Sequence, residues 1–188
     1  MRRPFWPKRM PAPSPEFSLT DAPSNQAPSA GEFRQLMGRF ATGVCVVSLE
    51  SDAGKIAAMT VNSFVSVSLE PLLICWSLHN SSSQFDLFAR APQFAVSILA
   101  EGQGDLALRY AARADTMMEP TDFERSAGGL PVIAGALGHF ECKHFAAHEA
   151  GDHTMILGEV GNLSTASTEL SHPRPLAFFG GRFCSIGE

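Results

Sequence analysis

The strongest constraint in this chain is that its apolar runs are short and each is closed by turn chemistry. "VCVVSLE" (44–50) leads through "SDAG" to "KIAAMTV" (55–61), the pattern of a β-hairpin with a Gly-containing loop. "FVSVSL" (64–69) alternates with period two, setting Val65, Val67 and Leu69 on one face and Phe64, Ser66 and Ser68 on the other. "EP" breaks it, and the nearly continuous apolar run "LLICWSL" (72–78) follows. "PQFAVSILA" (92–100) is a further strand. "GHFECKHFAAH" (138–148) and "HTMILGEVGNLS" (153–164) are two long ones joined by the tight connector "EAGD", and "PLAFFGGRF" (175–183) closes the domain.

Helical patterns are few and short. "SAGEFRQLMGRF" (29–40) opens with Ser29 three residues before Glu32, a capping box, and repeats Phe33, Leu36, Met37 and Phe40 at helical spacing, so a helix is expected to run until Thr42-Gly43. "SSSQFDLFARA" predicts a second, capped by Ser82 or Ser83, and "GDLALRYAAR" a third. Residues 117–129 read as a polar loop. The sum is about six or seven strands and three short helices, dominated by hairpins. Full-length crossover helices are missing from the pattern, which disfavours a parallel doubly wound sheet. A mainly β, closed or half-open antiparallel barrel fits better, because closure removes exposed edges.

A length of 188 residues, 45% of them hydrophobic and 18% charged, suits one globular domain with an appendage. Residues 1–28 carry seven prolines and read as a flexible N-terminal arm, with the domain at 29–188. The net charge of −5 excludes a general nucleic-acid binder. No apolar run reaches the roughly 18 residues of a membrane helix. The four cysteines are far apart with no Cys-x-x-Cys pair, which favours a reducing cytoplasm over a disulfide framework.

Several motifs carry candidate chemistry. "GQGDLA" (102–107) has the G-x-G-x-x-A form of a dinucleotide loop, but no βαβ unit surrounds it, so a plain helix start is expected. His139, His144, His148 and His153 lie close in sequence, yet on a strand His139 faces away from His144 and His148, and no zinc-like ligand set completes them. His153 is distinct: Gly151 allows a sharp turn, and Asp152 can orient its imidazole. Ser81, Ser82 and Ser83 at a helix start can form an anion cradle of hydroxyls and N–H groups, or serve only as caps. "TVNSF" (60–64) offers amides to a planar heterocycle, or is an ordinary polar turn.

In this order, "FRQLMGRFATGVCVVS", "MTVNSFVSVSLEPLLI", "NSSSQFDLF", "FAVSILAEGQ", "ECKHFAAHEAGDHTMILGEV" and "LAFFGGRF" resemble the flavin reductase family, the reductase components of two-component flavin monooxygenases. The resemblance spans roughly Phe33 to Phe183. It implies a Greek-key split β-barrel that binds FMN or FAD, usually as a homodimer with flavin near the subunit interface. It implies that Met59, Thr60, Val61, Asn62 and Ser63 line the isoalloxazine edge, and that Ser77, Ser81, Ser82, Ser83 and Gln84 hold the ribityl phosphate. Phe94, Ala95 and Ser97 would flank the flavin. His153, oriented by Asp152, would sit near the nicotinamide of NADH or NADPH, and Arg182 and Phe183 match the closing "GRY" of relatives. The chain departs from the family pattern with Ser97 in place of Asn, Phe183 in place of Tyr, and an uncharged Leu78-His79-Asn80 turn.

What the resemblance implies chemically is an NAD(P)H:flavin oxidoreductase that passes reduced flavin to a separate oxygenase. Hydride moves from nicotinamide C4 to flavin N5, so the protein needs ring stacking at about 3–3.5 Å rather than a nucleophile or a metal. Amides near Thr60 to Ser63 would stabilise charge on the reduced ring. Two rivals share the barrel: a non-catalytic flavin-binding module, and an oxidase of the pyridoxamine-phosphate type. The second would present clustered basic residues to its substrate, whereas Arg90, Arg109 and Arg113 are scattered.

Overall fold

The computed structural model describes residues 27–111, 117–165 and 174–186, so the expected N-terminal arm lies outside the described residues apart from its last two. Seven antiparallel strands form the main sheet: β2 (Cys45–Glu50), β3 (Ile56–Val61), β4 (Val65–Leu69), β5 (Leu72–His79), β6 (Gln93–Ile98), β9 (Gly138–Ala150) and β10 (His153–Thr165). Their spatial order is β3-β2-β6-β9-β10-β5-β4, a Greek-key arrangement in which the β9–β10 hairpin sits between β6 and β5.

That order forces a barrel. β3 and β4 are the two edges, yet only residues 62–64 join them. Laid flat, seven strands would hold the edges roughly 29 Å apart. The chain from Val61 to Val65 can span no more than roughly 14 Å. The sheet must therefore curl until its edges meet at Asn62-Ser63-Phe64. Among the described residues β3 and β4 do not pair, so the barrel is split at this seam.

The inside is closely packed. Trp76 is fully buried and meets Phe88 and Phe94 edge-on, with ring centroids 5.9 and 6.0 Å away. Val47, Leu49, Leu78, Val96 and Ile156 complete that cluster. β2 is buried on both faces, because Val44 and Val46 join a second cluster with Leu99, Tyr110, Ile133 and Leu176, which explains its continuous apolar run. This second layer comprises α3 (Gly104–Ala111), the hairpin β7 (Phe123–Arg125)–β8 (Pro131–Ile133), and a three-stranded sheet of β1 (Thr42–Gly43), β11 (Leu176–Phe179) and β12 (Arg182–Ser185). Two buried hydroxyls fasten β8 to the barrel: Ser48 Oγ donates to the Pro131 carbonyl at 2.6 Å, and Ser97 Oγ accepts the Ile133 N–H at 3.0 Å.

Both the 51–54 and 151–152 turns form as expected, with Gly54 and Gly151 at φ +73° and +67°. "GQGDLA" indeed starts a helix, after a 3₁₀ turn, in antiparallel surroundings. Three local expectations need correction. Helix α1 (Ala30–Met37) has both halves of the Ser29–Glu32 capping box but ends at Gly38, and Thr42-Gly43 is strand β1 because it pairs with β11. Helix α2 (Phe85–Ala89) takes Gln84 as its N-cap, without a side-chain capping bond, instead of Ser82 or Ser83. Residues 117–129 contain β7, whose partner β8 lies beyond the stretch read as loop.

Candidate flavin site

At the seam lies a cavity of about 1120 Å³. Its walls come from α1 and the following turn (Phe33, Met37, Phe40), from β1 (Thr42, Gly43), from the β3–β4 corner (Asn62, Ser63, Phe64, Val65) and from the β11–β12 turn (Phe178 to Gly181). The volume suits an extended aromatic ligand, and the lining is mainly apolar, with Arg34, Gln35, Arg39, Thr42, Asn62 and Ser63 as its polar members. One of these is an orphan: Thr42 Oγ1 is buried and, like Trp76 Nε1 and His144 Nδ1 elsewhere, has no hydrogen-bond partner among the described residues. Such a hydroxyl is costly unless something supplies its missing bond, which a ligand edge bearing nitrogen and oxygen would do. The outer edge of β3 lies apart from this lining and is partly covered: the Ile56 carbonyl accepts from the Met118 N–H, and Ala57 bridges Met117.

Ser63 ties the cavity to the outer face of β5. Its Oγ accepts the Ser77 N–H at 3.0 Å, continuing with a side chain the ladder that pairs Val65 with Cys75. Two residues further along β5, about 7 Å by strand rise, His79 occupies the same face. On that face Ser77 pairs across to Met155 and His79 to His153. Inward-pointing Trp76, Leu78, Thr154 and Ile156 anchor the two strands in the core.

The strand end carries a compact polar cluster. Asp152 Oδ1 lies 2.7 Å from His153 Nδ1. The His153 hydrogen bond holds the Asp152 carboxyl below its usual range. Asp152 is thus ionised at neutral pH and can only accept, so Nδ1 of His153 carries the proton and Nε2 is left for a ligand. Asn80 supports the turn: its N–H donates to the Asp152 carbonyl at 3.0 Å, its Nδ2 to the Gly151 carbonyl at 3.2 Å, and its Oδ1 accepts from Thr154 Oγ1 at 2.8 Å. The pairing of Asp152 with His153 read from the sequence is present.

Other expected site residues are placed unevenly. Asn62 and Ser63 line the cavity, whereas Met59 packs against the barrel core, Val61 is buried in it, and Thr60 Oγ1 donates to the Ala107 carbonyl of α3 at 2.8 Å. Arg182 is exposed beside the Gly180-Gly181 turn, and Phe183 packs on Phe178 with ring centroids 5.5 Å apart. Phe94, Ala95 and Ser97 have no exposed surface: they are core residues of β6, with no face left for a flavin, because β6 is flanked by β2 and β9 and covered on both sides. The serine loop is no open cradle either. The Ser82 N–H donates to the His79 carbonyl, Ser82 Oγ takes the Gln84 N–H, and the Phe85 N–H goes to the Ser82 carbonyl. The Ser81 and Ser82 hydroxyls, rather than a row of unpaired amides, are what it offers. Gln84 is buried beneath that loop.

Sequence reasoning missed the Thr42-Gly43 and 178–181 walls, and His79. The first two are remote in sequence from the polar motifs, and no local signal marks them. His79 could have been found by pairing the β5 and β10 runs in register.

Residues 37–187 match the family model described as "Flavin reductase like domain". The chain belongs to the flavin reductase family. It is 44% identical over 151 residues to FMN reductase (NADH) SmoA of Agrobacterium fabrum, covering 80% of this chain and 83% of that protein. NADH-dependent flavin reductase StyB of Pseudomonas fluorescens is 36% identical over 153 residues, covering 80% and 86%. Among solved structures, NADH:FAD oxidoreductase SgcE6 of Streptomyces globisporus C-1027 superposes with a TM-score of 0.77 at 32% identity, covering 88% of this chain and 98% of that one. BorF, the flavin reductase component of a bacterial two-component tryptophan halogenase, gives a TM-score of 0.75 at 32% identity, covering 85% and 99%. The split antiparallel barrel is therefore a flavin reductase fold.

Proposed function

We propose that this protein is an NADH-dependent reductase of FMN or FAD that delivers the reduced flavin to a separate oxygenase. The observation that carries the proposal is the Ser63–Ser77 bond, which joins an apolar, seam-side cavity to the face bearing Asp152 and His153. The slot for a flat ring and the oriented imidazole are thus linked along β5, with Ser77 and His79 between them. The names of SmoA and StyB both specify NADH, which is why NADH is preferred to NADPH.

Bound in that slot, a flavin would supply the acceptor for a hydride from the nicotinamide of NADH, with one solvent proton balancing the reduction. The chain's own residues position and exclude. Phe40, Phe64 and Phe179 supply apolar walls, and Thr42 Oγ1 with Asn62 supplies polar contacts. Ser77 and the hydroxyls of Ser81 to Ser83 hold the phosphate without fixed charge, which suits a flavin that must leave. His153 presents Nε2 to the nicotinamide side.

The same reading makes the protein a homodimer. Val65, Val67 and Leu69 of β4 are 52%, 51% and 82% exposed, and Phe33, Leu36 and Phe40 add a second apolar face beside the same cavity. A monomer rarely leaves so much contiguous apolar surface in water. A second copy covering it would close the cavity mouth.

The deciding assay follows NADH and NADPH oxidation spectrophotometrically with added FMN, FAD or riboflavin. Turnover with NADH and at least one flavin is expected. Flavin binding without oxidation of either nucleotide would leave only a flavin-binding module. His153→Ala should lower kcat/KM for NADH about tenfold or more, with flavin affinity near normal. An unchanged value removes His153 from the site.

A further inference from the structure

Beyond the Asp152–His153 pair, the structure contains a residue bridging the two halves of the proposed site. We propose that His79 is a positioning residue that couples the phosphate-side serine loop to the nicotinamide-side Asp152–His153 pair; this rests on the flavin reductase reading above.

The geometry is specific. His79 Nδ1 lies 3.0 Å from the Ser81 backbone N–H nitrogen and 2.9 Å from Ser81 Oγ. A backbone N–H can only donate, so Nδ1 must be the acceptor and the neutral ring must carry its proton on Nε2. That Nε2 faces Asp152 Oδ2 at 3.9 Å, an electrostatic contact just outside direct hydrogen-bond range. The ring also stands edge-on to its cross-strand partner His153, with centroids 4.8 Å apart and planes at 65°. Asp152 therefore has His153 on one oxygen and His79 near the other, and the His153 ring cannot swing toward β5 without striking His79.

One imidazole thus reads two loops. Its δ side sets the direction of the Ser81 N–H and hydroxyl, and its ε side and ring edge set the position of Asp152 and His153. Surface charge contacts of this kind contribute little to folding. Their worth here lies in orientation: holding the rings within a narrow range is where much of the advantage of a bound hydride-transfer geometry arises.

Two substitutions separate the two sides. His79→Asn keeps a δ-position acceptor for Ser81 but loses the ε-side donor and the ring. FMN affinity, read by flavin fluorescence quenching, should stay within about twofold, while kcat/KM for NADH falls about fivefold to tenfold. His79→Gln keeps an ε-side donor and releases Ser81. FMN affinity should weaken about fivefold, with the NADH effect the smaller of the two. In addition, ¹⁵N NMR of the imidazoles should show His79 as the Nε2–H tautomer at neutral pH.

Equal losses in both variants on both readouts, or none, would overturn the bridging role, as would an Nδ1–H tautomer. Wild-type protein that binds FMN but oxidises no nucleotide would instead sink the reductase reading. The NMR and binding measurements would still report on the Ser81 side of the bridge.

Discussion

The interior of the barrel and its outer seam face are built from similar residues put to opposite uses. Inside, Trp76, Phe88, Phe94 and Val96 are completely buried, and the hydroxyls of Ser48 and Ser97 are both bonded. Outside, Val65, Val67, Leu69, Phe33 and Phe40 stand in water, and Thr42 keeps a buried hydroxyl with no partner. The inside is packed within one chain, although Trp76 Nε1 there, like Thr42 Oγ1, has no hydrogen-bond partner among the described residues. The outside is complete only with something added. A strand alternation alone cannot say which of its faces is which: on β4 a bulge between Ser66 and Ser68 shifts the register, so Val65 and Leu69 fall on opposite faces and Ser66 is exposed with them.

The largest effect should come from crowding the finished side. A Cβ on Gly158 would lie 2.6 Å from Phe94 Cζ and 2.9 Å from Cys142 Cβ, distances that side chains cannot share. Gly158→Val should cost roughly 3 kcal/mol and lower Tm by about 10 °C in a calorimetric scan. Gly161→Ala is the control, since its Cβ meets nothing closer than the Glu141 carbonyl at 3.9 Å. If the two variants unfold alike, the interior is less tightly packed than the exterior contrast requires.

Charge placed on the unfinished side should do the reverse. Val67→Lys with Leu69→Lys should leave the far-UV spectrum unchanged and weaken self-association by about 2 kcal/mol. Sedimentation should then show a dimer becoming a monomer at micromolar protein. A double variant that stays dimeric would assign this face to some other occupant, with the contrast between the two sides reduced to ordinary surface variation.

What could be read from the sequence follows from how local the physics is. The 51–54 and 151–152 turns are decided by glycine and its immediate neighbours, and the Ser29–Glu32 box by a spacing of three, so these were legible. The continuous apolar run of β2 was legible as strand but not as a strand buried on both faces, because the second layer comes from residues 99–133 and 176. The paired Asp152–His153 is adjacent in sequence and was found; His79 meets His153 only through a strand register that spans residues 80–152 and was not. The cavity is assembled from residues 33–43, 62–65 and 178–181, and no single stretch announces it. Ser81 to Ser83 look like a cap because hydroxyl residues before an apolar run usually are one. Here Gln84 and the His79 ring claim that position through contacts that only the folded strand end creates.

The smallest effect tests the interior again, by titration. Burial pushes the Cys45 and Cys142 thiols up to about 12 from an ordinary 9.0, the nearby Glu141 charge adding to the latter. A thiol raised in the folded state favours folding fully below the unfolded value and loses that contribution as pH climbs toward the folded one. At pH 9 each cysteine is half-ionised when unfolded yet still protonated when folded, which removes about 0.4 kcal/mol per thiol relative to neutral pH. Urea unfolding should therefore show about 0.8 kcal/mol lower stability at pH 9 than at pH 7 from this pair, with the decline steepening above pH 9. Replacing both residues with alanine should flatten that alkaline slope, whatever it does to the absolute stability. An identical slope in the double variant would mean that water reaches these thiols and that the barrel interior is open where its packing says it is closed.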